Sequence, residues 1–204
     1  MDESPRTCSE NLQVIALVAS AGGLHAVSAV LRTLPADLDA AMIVLIHQSP
    51  DHASELVDLL GRQSSLRVEG ARDDTRLRAR TVVVAPPGRH ILVPEGSRVA
   101  LIVSGAAPPS RPSADLLLTT LAITCGPRAT AVVLSGGGHD GATGATAIHR
   151  FGGTVLASSE ASSEHFSMPQ ATIDRYGTIA QVVPLDEIAE RLASIVAVAE
   201  QRPR

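Results

Sequence analysis

Ser20, His47 and Asp140 are the residues of this 204-residue chain whose types and settings best fit a single chemistry. A serine hydroxyl attacks an acyl carbon when a neighbouring base removes its proton, and a histidine base works best when a carboxylate fixes its other ring nitrogen. Each of the three sits in or just before a loop that follows an apolar run. Ser20 opens Ser20-Ala21-Gly22-Gly23, His47 precedes Gln48-Ser49-Pro50, and Asp140 ends Gly136-Gly137-Gly138-His139-Asp140. Ala21 and Gly22 in one loop, and Gly137 and Gly138 in the other, let backbone approach a substrate and aim N–H groups at developing negative charge. They are the expected oxyanion or substrate loops. Plainer roles exist for each residue: Ser20 as a helix cap, His47 as a half-buried side chain bonded to a loop carbonyl, and Asp140 as the N-cap of a helix starting at Gly141.

Other chemistries fit less well. The turn at Ser20 lacks the G-x-S-x-G pattern, because Val18 and Gly22 occupy the flanking positions. A dinucleotide site expects G-x-G-x-x-G after the first strand and an acidic residue after the second, where this chain has Ser20-Ala21-Gly22-Gly23 and His47. All 17 basic residues are arginine, so Schiff-base and P-loop lysine chemistry are excluded. No histidine pair has metal spacing with a carboxylate on the same helix face, so no metal is expected. Phe151, Phe166 and Tyr176 are too few aromatics for a base-stacking platform, and no basic patch stands out in a chain of net charge −4, which argues against nucleic acid. Cys8 and Cys125 cannot form a disulfide framework, which fits the cytoplasm.

The elements that must position these residues alternate. Residues 14–18 read as a buried strand, followed by a tight turn and a helix with Leu24, Val27, Val30, Leu31 and Leu34 at helical spacing. Residues 41–46 repeat the theme, with a helix running from a cap near Asp51 to about Arg62. Residues 81–85 form a third strand, and 90–93 with 98–103 a hairpin about Pro94-Glu95-Gly96-Ser97. A helix capped by Ser113, a strand over 130–135, a helix from near Asp140, a strand over 154–157, a helix over 169–176, a strand over 178–183 and a helix over 186–199 complete the series. This predicts an α/β fold, a doubly wound, mostly parallel sheet with helices on both faces and one β-hairpin insertion. Residues 1–11 read as a short disordered lead and 12–200 as one domain, with no stretch apolar enough to enter a membrane. Ligands of such sheets bind beyond the carboxyl ends of the strands, where Ser20, His47 and Asp140 fall together.

On these residues the sequence resembles the catalytic domain of the chemotaxis protein-glutamate methylesterases, the CheB family. Val18-Ala19-Ser20-Ala21-Gly22-Gly23 is similar to the family's G-A-S-T-G-G, and Ile46-His47-Gln48-Ser49-Pro50 to the strand end bearing its catalytic histidine. Leu134-Ser135-Gly136-Gly137-Gly138-His139-Asp140-Gly141 resembles L-T-G-M-G-x-D-G, which carries the aspartate. Val84-Ala85-Pro86-Pro87-Gly88-Arg89-His90, Arg111-Pro112-Ser113-Ala114-Asp115, and Glu160-Ala161-Ser162 with Met168-Pro169 agree as well. Ala21 and Gly137 depart from it, standing where the family has threonine and methionine.

The resemblance implies hydrolysis of glutamate methyl esters on receptor segments, and deamidation of glutamine at the same place, by Ser20 as nucleophile, His47 as base and Asp140 as its orienter, without a cofactor. It places Arg111 near the site as a substrate-positioning residue. Partners implied are the cytoplasmic segments of methyl-accepting receptors, a separate receiver domain or methyltransferase, and a second copy of the chain. Family members usually carry a receiver domain of about 100 residues or more. Thirteen residues precede the first expected strand, so a stand-alone domain is expected. Two other readings compete: a non-catalytic module that binds a signalling partner in the same cleft, and an esterase for small metabolites.

Overall fold

The computed structural model describes residues 12–50, 54–105, 110–175, 177–178 and 180–200; the expected lead over 1–11, Asp51 and Tyr176 lie outside them. Along the chain, β1 (Gln13–Ala19) leads through α1 (Gly23–Thr33) to β2 (Ala40–Ile46), α2 (Leu56–Gly61), β3 (Arg67–Gly70) and β4 (Thr81–Val84). The hairpin β5 (His90–Leu92) and β6 (Ala100–Ile102) follows, then α3 (Ala114–Cys125), β7 (Ala129–Val133), α4 (Ala142–Arg150), β8 (Thr154–Ser158), α5 (Ser167–Ile173), β9 (Gln181–Val183) and α6 (Ile188–Glu200).

Seven parallel strands form one sheet in the order β3-β4-β2-β1-β7-β8-β9, and β5 and β6 pair antiparallel beside it. The expected architecture is therefore present. Period-two alternation along β1 decides the layers: Val14, Ala16 and Val18 pack with Leu117, Leu118, Leu121, Ala145 and Ile148 of α3 and α4. Ile15, Leu17 and Ala19 face the other way, toward Val27, Val30 and Leu31 of α1 and Ile188, Leu192 and Val196 of α6. Both faces are covered, which is why β1 and β2 read as uninterrupted apolar runs. Each fully buried Leu or Ile here is worth about 1.5–3 kcal/mol against exposure. No helix among the described residues is long and apolar enough to cross a membrane.

Several boundaries differ from the sequence expectation. The second helix is confined to Leu56–Gly61, α5 starts at Ser167 rather than 169, β9 starts at Gln181 rather than 178, and a single 3-10 turn over Leu185–Glu187 precedes α6. Strand β3 carries only one apolar residue, Val68, and gives no hydrophobic signal. Its parallel pairing with β4, from Arg67↔Thr81 to Gly70↔Val84, makes it a strand.

The chain leaves β1 toward β2 on one side and leaves β7 toward β8 on the other, while β1 and β7 are neighbours. Their carboxyl ends form the switch point where loops diverge and a crevice opens.

Candidate functional site

Ser20 and His47 are neighbours because their strands are. Ala19 pairs with Ile46, and the His47 N–H donates to the Ala19 carbonyl at 3.0 Å, so the two residues leave adjacent strand ends about 5 Å apart. On the other side, the Leu134 N–H donates to Val18 O at 2.9 Å and the Ser20 N–H to Ser135 O at 3.0 Å. Asp140 arrives from that side and reaches past the end of β1, and its Oδ2 lies 2.8 Å from His47 Nε2. Both side chains are mostly buried, at 17% and 16% exposure. The pair fixes the histidine: Nε2–H donates to the carboxylate, and Nδ1 is left as the nitrogen able to accept a proton. No hydrogen bond joins Ser20 Oγ to His47 among the described residues, a looseness common in such sites without substrate.

Asp140 does not cap its own helix, contrary to the plainer reading of the sequence. The N-cap of α4 is Gly141, in the left-handed region at φ 102°, which has no side chain of its own to close the helix. Asp140 caps α3 instead, accepting from the Ala114 N–H at 2.7 Å, the Asp115 N–H at 3.0 Å and the Ser113 hydroxyl at 3.0 Å. The favour is returned: Asp115 Oδ1, in the first turn of α3, accepts from the Gly141 and Gly144 N–H groups at 2.9 and 2.7 Å. Each helix start is closed by the carboxylate of the other. Burial pushes the Asp140 carboxyl up, but the His47 hydrogen bond, the Asp115 and Ala114 N–H groups and the charge of His47 outweigh it and hold the group below the ordinary aspartate value.

Removing the Asp115 carboxylate therefore unties the loop that carries Asp140. Asp115→Ala orphans two amide donors and is expected to cost about 1–3 kcal/mol of stability and to lower kcat more than it raises KM. Asp115→Asn, which keeps an acceptor oxygen, restores most of both. Urea unfolding beside steady-state kinetics checks this, and equal losses in the two variants would refute the capping role.

His90, which the sequence placed only at the start of a hairpin strand, is a further neighbour of the site. It is fully buried; its Nδ1 accepts from the Ser113 N–H at 3.1 Å, and its Nε2 meets Ser104 Oγ at 2.5 Å. Accepting at Nδ1 makes it a neutral imidazole protonated on Nε2. Burial lowers its pKa, the Asp140 charge opposes this, and the Arg111 charge adds to it. Arg111 itself donates from Nη1 to Gly105 O at 2.6 Å. The site thus continues from His47 through Asp140 and Ser113 to His90. The signal in the sequence was Ser113 and Asp115, two capping residue types within one turn; their partners lie about 25 residues away.

The two glycine loops do different work. Gly22, at φ 73°, leaves no room for a side chain: a Cβ would lie 2.7 Å from Ser135 Oγ and 2.9 Å from Glu164 Oε2. A Cβ on Gly136 would meet Met168 Sδ at 2.6 Å and Ser20 Cβ at 3.0 Å, whereas on Gly137 it would meet nothing within 4 Å, and φ there is ordinary. Ser135 Oγ fastens the nucleophile turn by donating to Ala21 O at 2.9 Å and accepting from the His165 N–H. The Gly138 N–H is taken by Ser167 Oγ at 3.2 Å, which leaves those of Ala21, Gly22 and Gly137 unengaged among the described residues. Gly136→Ala is expected to displace Ser20 and abolish most serine reactivity, while Gly137→Ala keeps it and raises stability by about 0.4–1 kcal/mol by restricting the unfolded chain. Thermal unfolding and fluorophosphonate labelling of the two variants check this contrast.

A cleft of about 460 Å³ opens beside Asp140, lined by Ser110, Ser113, Leu116, Gly137, Gly138 and His139 among others. A parallel α/β sheet that presents a serine and a bonded His–Asp pair around one strand end is the arrangement of a serine hydrolase. The chain belongs to the CheB methylesterase family, whose model matches residues 15–192. It is 38% identical over 182 residues to protein-glutamate methylesterase/protein-glutamine glutaminase 3 of Paramagnetospirillum magneticum, covering 89% of this chain and 51% of that protein. It is 37% identical to protein-glutamate methylesterase FrzG of Myxococcus xanthus, over 88% of this chain and 53% of that protein. The chain spans about half the length of these curated relatives. The crystal structure of the Thermotoga maritima CheB methylesterase catalytic domain is similar with a TM-score of 0.84 at 27% identity, covering 90% of this chain and 98% of that one.

Proposed function

We propose that this chain hydrolyses glutamate methyl esters, and deamidates glutamines, on the cytoplasmic segments of methyl-accepting receptors, with Ser20 as nucleophile, His47 as base and Asp140 as its positioning partner. The observation that carries the proposal is the His47–Asp140 bond at 2.8 Å, set beside Ser20 on adjoining strand ends. His47 Nδ1 takes the Ser20 proton as Oγ attacks the acyl carbon, and the imidazolium is stabilised by Asp140. The N–H groups of Ala21, Gly22 and Gly137 are the unengaged donors on the two loops flanking Ser20, available to the developing oxyanion. The imidazolium then protonates the departing methanol or ammonia, and a water activated by His47 hydrolyses the glutamyl-enzyme. The cleft beside Asp140 receives the receptor backbone, and Arg111, anchored through Gly105, orients it from the rim.

On this reading the protein works in the cytoplasm with receptor segments as partners. The family relation and the His47–Asp140 pair set beside Ser20 favour catalysis over a purely binding role. Methanol release from methylated receptor preparations tests it. Release by the wild type that soluble methyl esters do not suppress supports a receptor substrate, and release from small esters alone would support a metabolite esterase.

A further inference from the structure

Six arginines lie between residues 62 and 80 against Glu69, Asp73 and Asp74, so this stretch carries +3 in a chain of −4 and leaves −7 for the remainder. The interleaved acids hide the patch in the sequence. The fold gives each acid a partner. Glu69 pairs with Arg67 at 3.3 Å, Asp74 with Arg98 at 2.7 Å, and Asp73 Oδ1 accepts from the Leu101 N–H at 3.0 Å, so every acid of the stretch is engaged. Arg72, Arg76 and Arg78 are exposed, and no hydrogen bond or ion pair engages their side chains among the described residues. They line one cleft of about 390 Å³ together with Arg67, Glu69 and Thr75. Three uncompensated guanidiniums around one concavity repel one another and together attract anions.

The cleft lies along β3, the edge strand, and Arg72 follows the carboxyl end of that strand, on the same rim as Ser20 and His47. Three strand spacings separate β3 from β1, about 14 Å. Residues eleven apart return to the same face of a helix and are separated by about 16 Å. A helical segment presenting one glutamyl group to Ser20 can therefore bring a second acidic group to Arg72, the end of the cleft on that rim, from which the cleft runs along β3 to Arg67. The reaction proposed above makes such groups: ester and water give methanol and a carboxylic acid, which ionises at neutral pH, and glutamine and water give ammonia and the same acid.

We infer that the arginine cleft of Arg67, Arg72, Arg76 and Arg78 is a docking site for carboxylates on the receptor segment, so that a segment already hydrolysed at one position is held more tightly for the next. The inference rests on the proposed receptor substrate, and its test reads binding rather than turnover. Two helical peptides are compared, one with four glutamates and one with four glutamines, each binding the Ser20→Ala chain so that glutamines stay intact. The glutamate peptide is expected to bind about tenfold more tightly in 50 mM salt, with the preference shrinking as salt rises and the Debye length falls below about 8 Å. Arg72→Gln/Arg76→Gln/Arg78→Gln in the same background abolishes the preference, and the three substitutions leave fluorophosphonate labelling of an otherwise wild-type chain unchanged.

Equal affinity for the two peptides, or a preference that survives the triple substitution, overturns the inference. Binding to anionic lipid vesicles in place of the glutamate peptide also overturns it. Arginines that only guard the sheet edge against pairing would give no glutamate preference and would aggregate on substitution. Absent labelling in every variant would overturn the esterase reading and leave the binding result standing.

Discussion

Ser20→Ala, His47→Ala and Asp140→Ala are each expected to lower methanol release by at least about 10³-fold, and any two together little more than the worse single change, because residues acting as one unit contribute non-additively. In the proposed mechanism Ser20 supplies the bond-forming oxygen, so its loss would leave only the residual effect of the loops and of binding. Loss of His47 leaves a hydroxyl with no base. Loss of Asp140 leaves an imidazole free to turn, since the 2.8 Å bond at Nε2 is what keeps Nδ1 available for Ser20. KM is expected to move little for Ser20→Ala and His47→Ala, because neither side chain lines the cleft beside Asp140. A Ser20→Ala protein that retained near wild-type release would sink the assignment, and losses that multiplied across double variants would mean that the three act separately.

The second large effect is on stability. Asp140 accepts from His47, from Ser113 and from two amides of α3, so Asp140→Ala orphans several buried donors and is expected to cost about 2–4 kcal/mol at neutral pH. Ser20→Ala, with no such bonds to lose, should cost far less. The pH dependence has a definite sign. The folded carboxyl is held below its unfolded value of about 3.9, so its contribution is complete above that pH and is lost as the pH falls through the folded value. The gap between wild type and Asp140→Ala in urea midpoint should therefore be constant from pH 8 to about pH 5 and close in stronger acid. A gap that widened in acid would mean that burial, and not the hydrogen bonds, governs this group.

The central strands were legible because both faces of the sheet are covered: residues 14–18 and 41–46 are apolar without interruption, and the chain breaks sharply after each. Ser20 and His47 could be placed from that alone, since a parallel pair puts successive strand ends on one rim. Strand β3 was hidden because an edge needs only backbone pairing and Arg67-Val68-Glu69-Gly70 has no face to bury. The capping of α3 by Asp140 was hidden for another reason. Side-chain caps are usually local, and here the acceptor lies about 25 residues from its donors, brought close by packing of α3 against α4. His90 shares that cause, since it meets Ser113 across 23 residues, whereas the arginine cleft comes from the single stretch 67–78 and was hidden by the acids interleaved in it.

The crossed caps between α3 and α4 also constrain how this chain can drift. A lineage that gave up catalysis could lose Ser20 at little cost to folding, whereas loss of Asp140 would leave two amides at the start of α3, the Ser113 hydroxyl and His47 without their acceptor at once. Purifying selection for a folded chain would then preserve the aspartate long after the enzyme was gone. In a homologue that shares these caps an intact aspartate is accordingly poor evidence of activity, and the serine at the end of the first strand is the informative residue.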